Sequence, residues 1–447
     1  MTIVTLALGY IGVDWYGKKV WTDTVEELNG AGYPSTIEEA VEPSAKGRVD
    51  LFEIQTARDE VARFENDDEG LGDLSSLGFP GLRKDVYLDI EEGPDGPQFA
   101  AFYGDGISNG DAAEKLFTLF ERYEERRKLL LLVRPDRLLL MDSKDGPSGF
   151  TFLNRATGFL FDHALTSIAV GRSDVAMEDL ETMIAWSHAI DQTPQMAIGY
   201  ALAASYRMTF LVVINEGLMA GSFGEDDLEK LSKSLSQFDL QRGYRKSLVV
   251  EISGWIESYD PIMQARPEVD WDTWCANWSL DREILGKKAM SLVYAHGPEG
   301  IHAMGLEKAL RTMGDEAAKT GDVSIEDLTR FRSEHASKPR YYDLDLDDLV
   351  LEPPLSEGVW EFLEMTAHSC LVGEAQMRLT QTAIDLEIRR LKEGKFPDSV
   401  QAEDPLGDGV MGYRLEKDGG YSIWSVGPDG VDDGGAGDDL VFRYWVR

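Results

Sequence analysis

Cysteine is scarce. The 447-residue chain holds two, Cys275 and Cys370, which excludes a disulfide scaffold and an all-cysteine zinc site. Histidine is also sparse: His163, His188, His296, His302, His335 and His368. None forms a His-Glu-x-x-His motif or an i, i+4 pair, so nothing points to a zinc hydrolase. Positive charge is outweighed, with 44 Lys and Arg against 81 Asp and Glu and a formal net charge of −37. No basic patch with interleaved aromatics offsets it, so nucleic acid is excluded as a partner and anionic membrane surfaces are disfavoured. No Gly-x-Ser-x-Gly, Walker A or dinucleotide-binding glycine signature occurs. Long apolar runs are missing too: no stretch reaches 18 apolar residues, whereas a membrane-crossing helix needs about 20.

What is present suits a folded chain. Hydrophobic residues make up 43% and aromatics 10%, which excludes global disorder. At roughly 100–200 residues per domain, the length allows two to four domains.

The N-terminal run Thr2–Val13 carries no charge, and Asp14, Lys18 and Lys19 follow it. Three readings stand for this apolar segment, residues 1–20: a buried helix or strand, a short signal-like stretch, or the tail of a membrane helix. Residues 21–149 read as a helical region with irregular loops. Helices are expected at Thr22–Asn29, from a cap near Ser35 or Thr36 behind Pro34, at Leu51–Phe64 and at Asp111–Lys128. Residues 65–110 form a Gly/Asp/Pro-rich connector. The apolar runs flanking Arg134–Arg137 read either as two strands or as helix ends broken at Pro135.

Residues 150–336 read as an array of helical hairpins. Gly171 stops one helix, and Ser173 or Asp174 is expected to cap the next. That helix carries Ala176, Leu180, Met183, Ile184 and Ser187 on one face. Pro194 opens a long helix to about Met219, Gly221–Asp227 turns the chain, and Leu228–Phe238 follows. Trp271, Trp274 and Trp278 share a helical face and read as core. Further helices are expected over Leu280–Tyr294, Ile301–Lys319 and Ser324–Glu334. Residues 337–355 are an acidic linker. Its Asp343, Asp345 and Asp347 mimic the start of an EF-hand, but Asp348 replaces the required Gly and Pro354 the required Glu.

A helix from about Ser356 to Lys392 opens the last segment, 356–447, with Val359, Leu363, Cys370, Met377, Ile384, Ile388 and Leu391 as its apolar stripe. After Pro397 the period changes to strands at Tyr413–Leu415 and Tyr421–Trp424 around Asp418-Gly419-Gly420, a hairpin signal. Leu440–Val446 ends the chain as another strand. Between them lie five aspartates, Asp429, Asp432, Asp433, Asp438 and Asp439, among Gly430, Gly434, Gly435 and Gly437. Aspartates in a tightly curling Gly-rich loop can gather the six to eight oxygens that calcium takes. The same composition also describes a solvated acidic turn.

Two resemblances sharpen this. "RLKEGKFPDSV", Asp404-Pro405-Leu406-Gly407, Tyr413-Arg414 and "GGYSIWSVGPDGVDDGGAGDDLVF" follow one another as in the C-terminal half of type II secretion major pseudopilins, which this segment resembles over roughly fifty residues. The resemblance implies a long helix, a hairpin and a calcium loop, with Asp429 and Asp439 at the best-matching ligand positions. In pseudopilins the helix begins at the N-terminus; here it starts behind a large helical region. The whole chain is similar to large envelope proteins of planctomycete-type bacteria, through "LNGAGYPSTIEEAV", "VRPDRLLLMD", "AMEDLETMIAWSHAIDQTP" and the terminal tail. That resemblance implies no activity. It implies an extracytoplasmic position in the cell envelope and favours the membrane-anchor reading of the N-terminus; a cytoplasmic position is the alternative.

The sequence therefore predicts a mostly α fold: a repeat-like helical-hairpin array with a small C-terminal α+β pseudopilin-like module. The expected function is a non-enzymatic envelope scaffold that binds a protein partner, with structural calcium in its tail. The alternatives are a pseudopilin-like component of a secretion apparatus, and an enzyme whose site lies in the helical domain.

Overall fold

The computed structural model describes residues 2–37, 39–40, 92–93, 96–97, 113–114, 117–118, 120–136, 138, 148–194, 197–263, 307, 310–311, 313–315, 354–407, 409–417, 419–427 and 430–444. The helices expected at Leu51–Phe64, Leu280–Tyr294 and Ser324–Glu334, the Trp271/Trp274/Trp278 face, the linker up to residue 353, Cys275 and Asp429 lie outside them; the last two linker residues, Pro354 and Leu355, are helical.

Among the described residues the chain is mostly helical, with eight α-helices and a small C-terminal antiparallel sheet. The helices are α1 Thr2–Gly30, α2 Glu124–Leu132, α3 Ser148–Ala169, α4 Ser173–Gln192, α5 Ala197–Met219, α6 Glu225–Leu235, α7 Leu240–Met263 and α8 Pro354–Glu393. A two-residue ladder pairs β1, Glu92–Gly93, with β2, Gly96–Pro97, inside the expected connector. The sheet has the order β3–β4–β5, from Gly412–Leu415, Tyr421–Ser425 and Leu440–Tyr444.

Two compact units divide the chain. One is Met1–Pro43, Arg245–Asp322 and Phe331–Met365; the other is Ser44–Tyr244, Val323–Arg330 and Thr366–Arg447. In the first, α1 buries Gly17, Trp21, Thr24 and Leu28, a spacing of four, three and four residues that marks one helical face. Trp21 meets the edge of Tyr259. Ser253 donates to the Pro34 carbonyl, and Glu257 accepts the Ile37 amide. Thr36 caps the short helix there, accepting from the Glu39 amide. The helix expected to begin at Thr22 starts twenty residues earlier, because neither the change in polarity at Asp14 nor an isolated glycine stops a helix that lacks proline.

In the second unit α3, α4 and α5 pack on one another. Their connections share a C-terminal device. After α3 the Arg172 amide reaches the Ser167 carbonyl and Gly171 takes φ +77°; after α5 the Ser222 amide reaches Gly217 and Gly221 takes φ +62°. These are Schellman ends, which need a left-handed residue that glycine supplies without a Cβ clash. Ala176, Leu180, Met183, Ile184 and Ser187 are all buried, as their spacing predicts. The expected cap is not there: Arg172 holds the N-cap position, and no side chain caps the helix. The run at 124–132 is helical, which decides that ambiguity on its N-terminal side; the chain turns extended at Val133, two residues before Pro135.

One apolar core runs from Phe120 through the helices to Tyr444. The C-terminal half of α8 is covered on more than one side, so its buried set is wider than the expected stripe. Thr380 donates to Asn215 of α5, while Tyr421 of β4 donates to the Ala383 carbonyl. Cys370, Met377 and Ile384 are buried as expected, but Leu391 is exposed. Every residue of β4, the central strand, is buried. Tyr421 and Tyr444 are cross-strand partners, and their rings stack within 4° of parallel. Glu387 is buried and accepts from both Nε and Nη2 of the half-buried Arg390.

Candidate metal loop

The loop between β4 and β5 is framed by two side chains. The first is Asp404. It is buried, and its Oδ1 accepts the Leu406 amide at 2.9 Å and the Ser425 hydroxyl at 2.5 Å, while Oδ2 accepts the Val426 amide at 2.8 Å. The Asp404–Gly407 turn is thereby clasped to the end of β4. The second is Trp424. Its indole lies over Gly412, its cross-strand partner, so closely that a Cβ there would overlap the ring. Its Nε1 donates to Asp432 Oδ1 at 2.9 Å, and the Arg414 guanidinium sits over the ring, 5.6 Å from its centroid.

Four of the five expected ligands can be placed. Asp432 is exposed; the bonds from Trp424 and from the Gly434 amide hold its carboxyl below the usual range. Asp433 is exposed, and its carboxylate lies against Gly437, where a Cβ would strike it. Asp438 is exposed, with its backbone carbonyl against Gly427. Asp439 is the buried one, at 0% exposure. Its Oδ2 accepts the Asp433 amide at 3.1 Å and the Gly435 amide at 2.8 Å. Its Oδ1 is buried with no hydrogen-bond partner. Burial pushes the Asp439 carboxyl above its ordinary value, and the charges on Asp432 and Asp433 push it the same way.

The structure brings Asp432, Asp433 and Asp439 around one short loop, and it sets Asp438 facing solvent. Two arginines bind the same loop through its carbonyls: Arg414 donates to Gly434 and Arg443 to Gly435. Among the described residues no group of three or more His, Cys, Asp or Glu side chains is arranged to hold a metal ion. Among the described residues a bound calcium would therefore draw on Asp439 Oδ1, backbone carbonyls and water. The buried oxygen without a partner is the feature that fits a cation, since such a group costs about 1–3 kcal/mol when nothing satisfies it.

The helical core holds polar clusters that composition and spacing did not reveal. Asp179, fully buried, accepts from Arg127 Nε at 2.7 Å and lies 2.5 Å from His163 Nδ1. Arg127 also reaches Glu178 and the Val175 carbonyl. Phe117, Phe120 and Phe159 surround the imidazole. A second buried pair joins Arg207 to Asp191 at 2.7 Å, with Arg207 over the Tyr200 ring. Cys370 is beside Tyr200, and burial pushes its thiol up to about 12, too high for a reactive thiolate. A carboxylate holding an imidazole can orient a general base, but here the Asp179 carboxylate is clamped by Arg127 and the imidazole is enclosed by three phenylalanine rings. No spacing signal marks these residues; in sequence they look like the polar face of an exposed helix.

Comparison with family models, with curated proteins and with solved structures finds no match to this chain.

Proposed function

We propose that this chain is a non-enzymatic scaffold of the cell envelope, on the extracytoplasmic side, whose C-terminal module is stabilised by calcium. One observation carries the calcium reading: Asp439 is wholly buried with one oxygen bonded twice and the other to nothing. A cation that binds this loop only when folded stabilises it by mass action. Calcium sites of extracellular modules have Kd values of about 10⁻⁴–10⁻³ M, which suits an extracytoplasmic setting. The helical core supports a scaffold role, because its Arg127–Asp179–His163 cluster is closed on itself. The protein partner would be met by the helical region, whose repeat-like hairpins provide the surface.

A second reading is supported by the order of elements in the last segment: a long helix, the turn at Gly394, the Asp404 clasp, the β3–β4 hairpin and the acidic loop. By this reading the module is a pseudopilin-like component of a secretion apparatus and assembles through α8. Equilibrium dialysis of the full chain against labelled calcium tests the first reading. One calcium bound per chain, lost in Asp439→Asn, supports it; no uptake at millimolar calcium rejects it.

A further inference from the structure

Arg207 of α5 is a buried cation with one bare edge. The residue is 1% exposed. Its Nη1 donates to Asp191 Oδ1 at 2.7 Å, in the last turn of α4. Its Nε and Nη2 are buried and meet no hydrogen-bond acceptor. These two nitrogens share one edge of the guanidinium and hold their N–H bonds in parallel, the fork that takes both oxygens of a carboxylate. Two other arginines show that edge filled. Arg390 sets Nε and Nη2 on the two oxygens of Glu387. Arg127, also buried, gives Nε to Asp179, and Nη2 to Glu178 and the Val175 carbonyl. Charged donors enclosed without an acceptor are costly, so an empty fork at this depth calls for an occupant.

Four helices supply the surroundings. Tyr200, on the same side of α5 as Arg207 and two turns before it, lies under the guanidinium, with its ring centroid 5.2 Å from the central carbon. Its hydroxyl is committed to the Leu240 carbonyl at the start of α7. Cys370 of α8 lies beside both Tyr200 and Arg207. Its thiol stays protonated, and a thiol S–H can donate. We infer that the Arg207 fork holds a small planar oxyanion, a single-carbon carboxylate of the formate or bicarbonate type, between α4, α5 and α8. Asp191 already cancels the charge of Arg207, so a doubly charged ion such as sulfate is disfavoured. Tyr200, Tyr244 and Cys370 are buried, which excludes a long or branched ligand. Ligand sites built between facing helices are common in helical folds. The inference goes beyond the scaffold reading and makes no use of the calcium loop, so either can fail alone.

Hydrogen exchange of the full chain in sodium formate tests it, with a parallel series in bicarbonate and sodium chloride at equal concentration as control. An ion held only by the closed site slows exchange of the α5 amides in proportion to its concentration above Kd. Ten times more formate should therefore slow them about tenfold, and the same amount of chloride should not. Slowing by either carboxylate supports the inference, and the larger effect identifies the better occupant. Arg207→Lys keeps the charge and loses the fork, so a folded variant should show no response to formate. If that variant does not fold, the proportional response of the wild type against chloride decides alone. No slowing in formate or bicarbonate overturns the inference and leaves the fork to water. So does equal slowing in chloride, and so does a response that survives in folded Arg207→Lys.

Discussion

Gly412 and Trp424 face each other across the β3–β4 ladder, and the indole occupies the space where a side chain at 412 would stand. The ring can then turn its Nε1 to Asp432 and receive Arg414 on its face. A sheet residue without a side chain thus positions Asp432, in the loop that follows β4. Gly412→Val should displace the indole and destabilise the module by about 1–3 kcal/mol, the range for overpacking. Trp424→Phe should keep the apolar contact and lose the bond to Asp432. Hydrogen exchange checks both: the Gly434 amide, which also bonds Asp432, should lose protection in each variant, while α4 amides should not change.

Asp404 satisfies two amides and one hydroxyl at a buried position. Asp404→Ala orphans the Leu406 and Val426 amides and leaves the Ser425 hydroxyl only its bond to the Val426 carbonyl. Each amide costs about 1–3 kcal/mol when left unsatisfied, though not additively, so the module should melt well below wild type. Asp404→Asn keeps one acceptor oxygen and should fall between the two. Thermal unfolding followed by near-ultraviolet circular dichroism, which reads the aromatic-rich sheet, measures the order of the three proteins.

The Arg127–Asp179–His163 cluster predicts an asymmetry. Arg127→Met leaves the Asp179 charge buried beside His163 alone and should cost about 3–5 kcal/mol in denaturant unfolding. The double variant Arg127→Met/Asp179→Leu removes both charges and should recover a large part of that loss. A double variant no better than the single one would contradict the view that these charges hold each other.

His188 donates from Nε2 to the Ser234 carbonyl and stacks on Phe238 at 3.8 Å. Burial lowers its pKa from the ordinary 6.5. The unfolded chain therefore binds the proton more readily than the folded one. Stability contributed by the neutral ring is present above the unfolded pKa and is lost as pH falls below about 6.5. Between pH 7.5 and 5.5 wild type should lose more stability than His188→Gln, and urea titrations at the two values give the difference.

Much of this fold was legible, for definable reasons. Helix α4 was readable because its buried residues repeat at helical spacing, and the hairpin because Asp418-Gly419-Gly420 separates two alternating runs. The start of α6 was missed by three residues. Glu225, Asp226 and Asp227 read as a turn, but carboxylates are favoured in a first helical turn, and Asp227 accepts the Gly224 amide. The extent of α1 was missed because a shift in polarity looks like a boundary although the backbone needs none. Asp439 was legible as a loop aspartate, but the burial of one of its oxygens was not, since burial depends on β4 and the Asp404 clasp. Arg127, Asp179 and His163 were illegible as a cluster: they come from three helices, and nothing local distinguishes a buried charge from a solvated one.

The most direct test of the account is a pair of melts of the full chain and of Asp439→Asn, each with chelator and with millimolar calcium. Without calcium the variant should melt at or above wild type, because it removes a buried charge with a bare oxygen. With about 1 mM calcium wild type should gain about 0.4–1.4 kcal/mol for a Kd of about 10⁻⁴–10⁻³ M and rise relative to the variant, which should not respond. Melting curves of wild type that coincide with and without calcium would contradict the account and leave the loop an acidic turn held by Trp424 and two arginines.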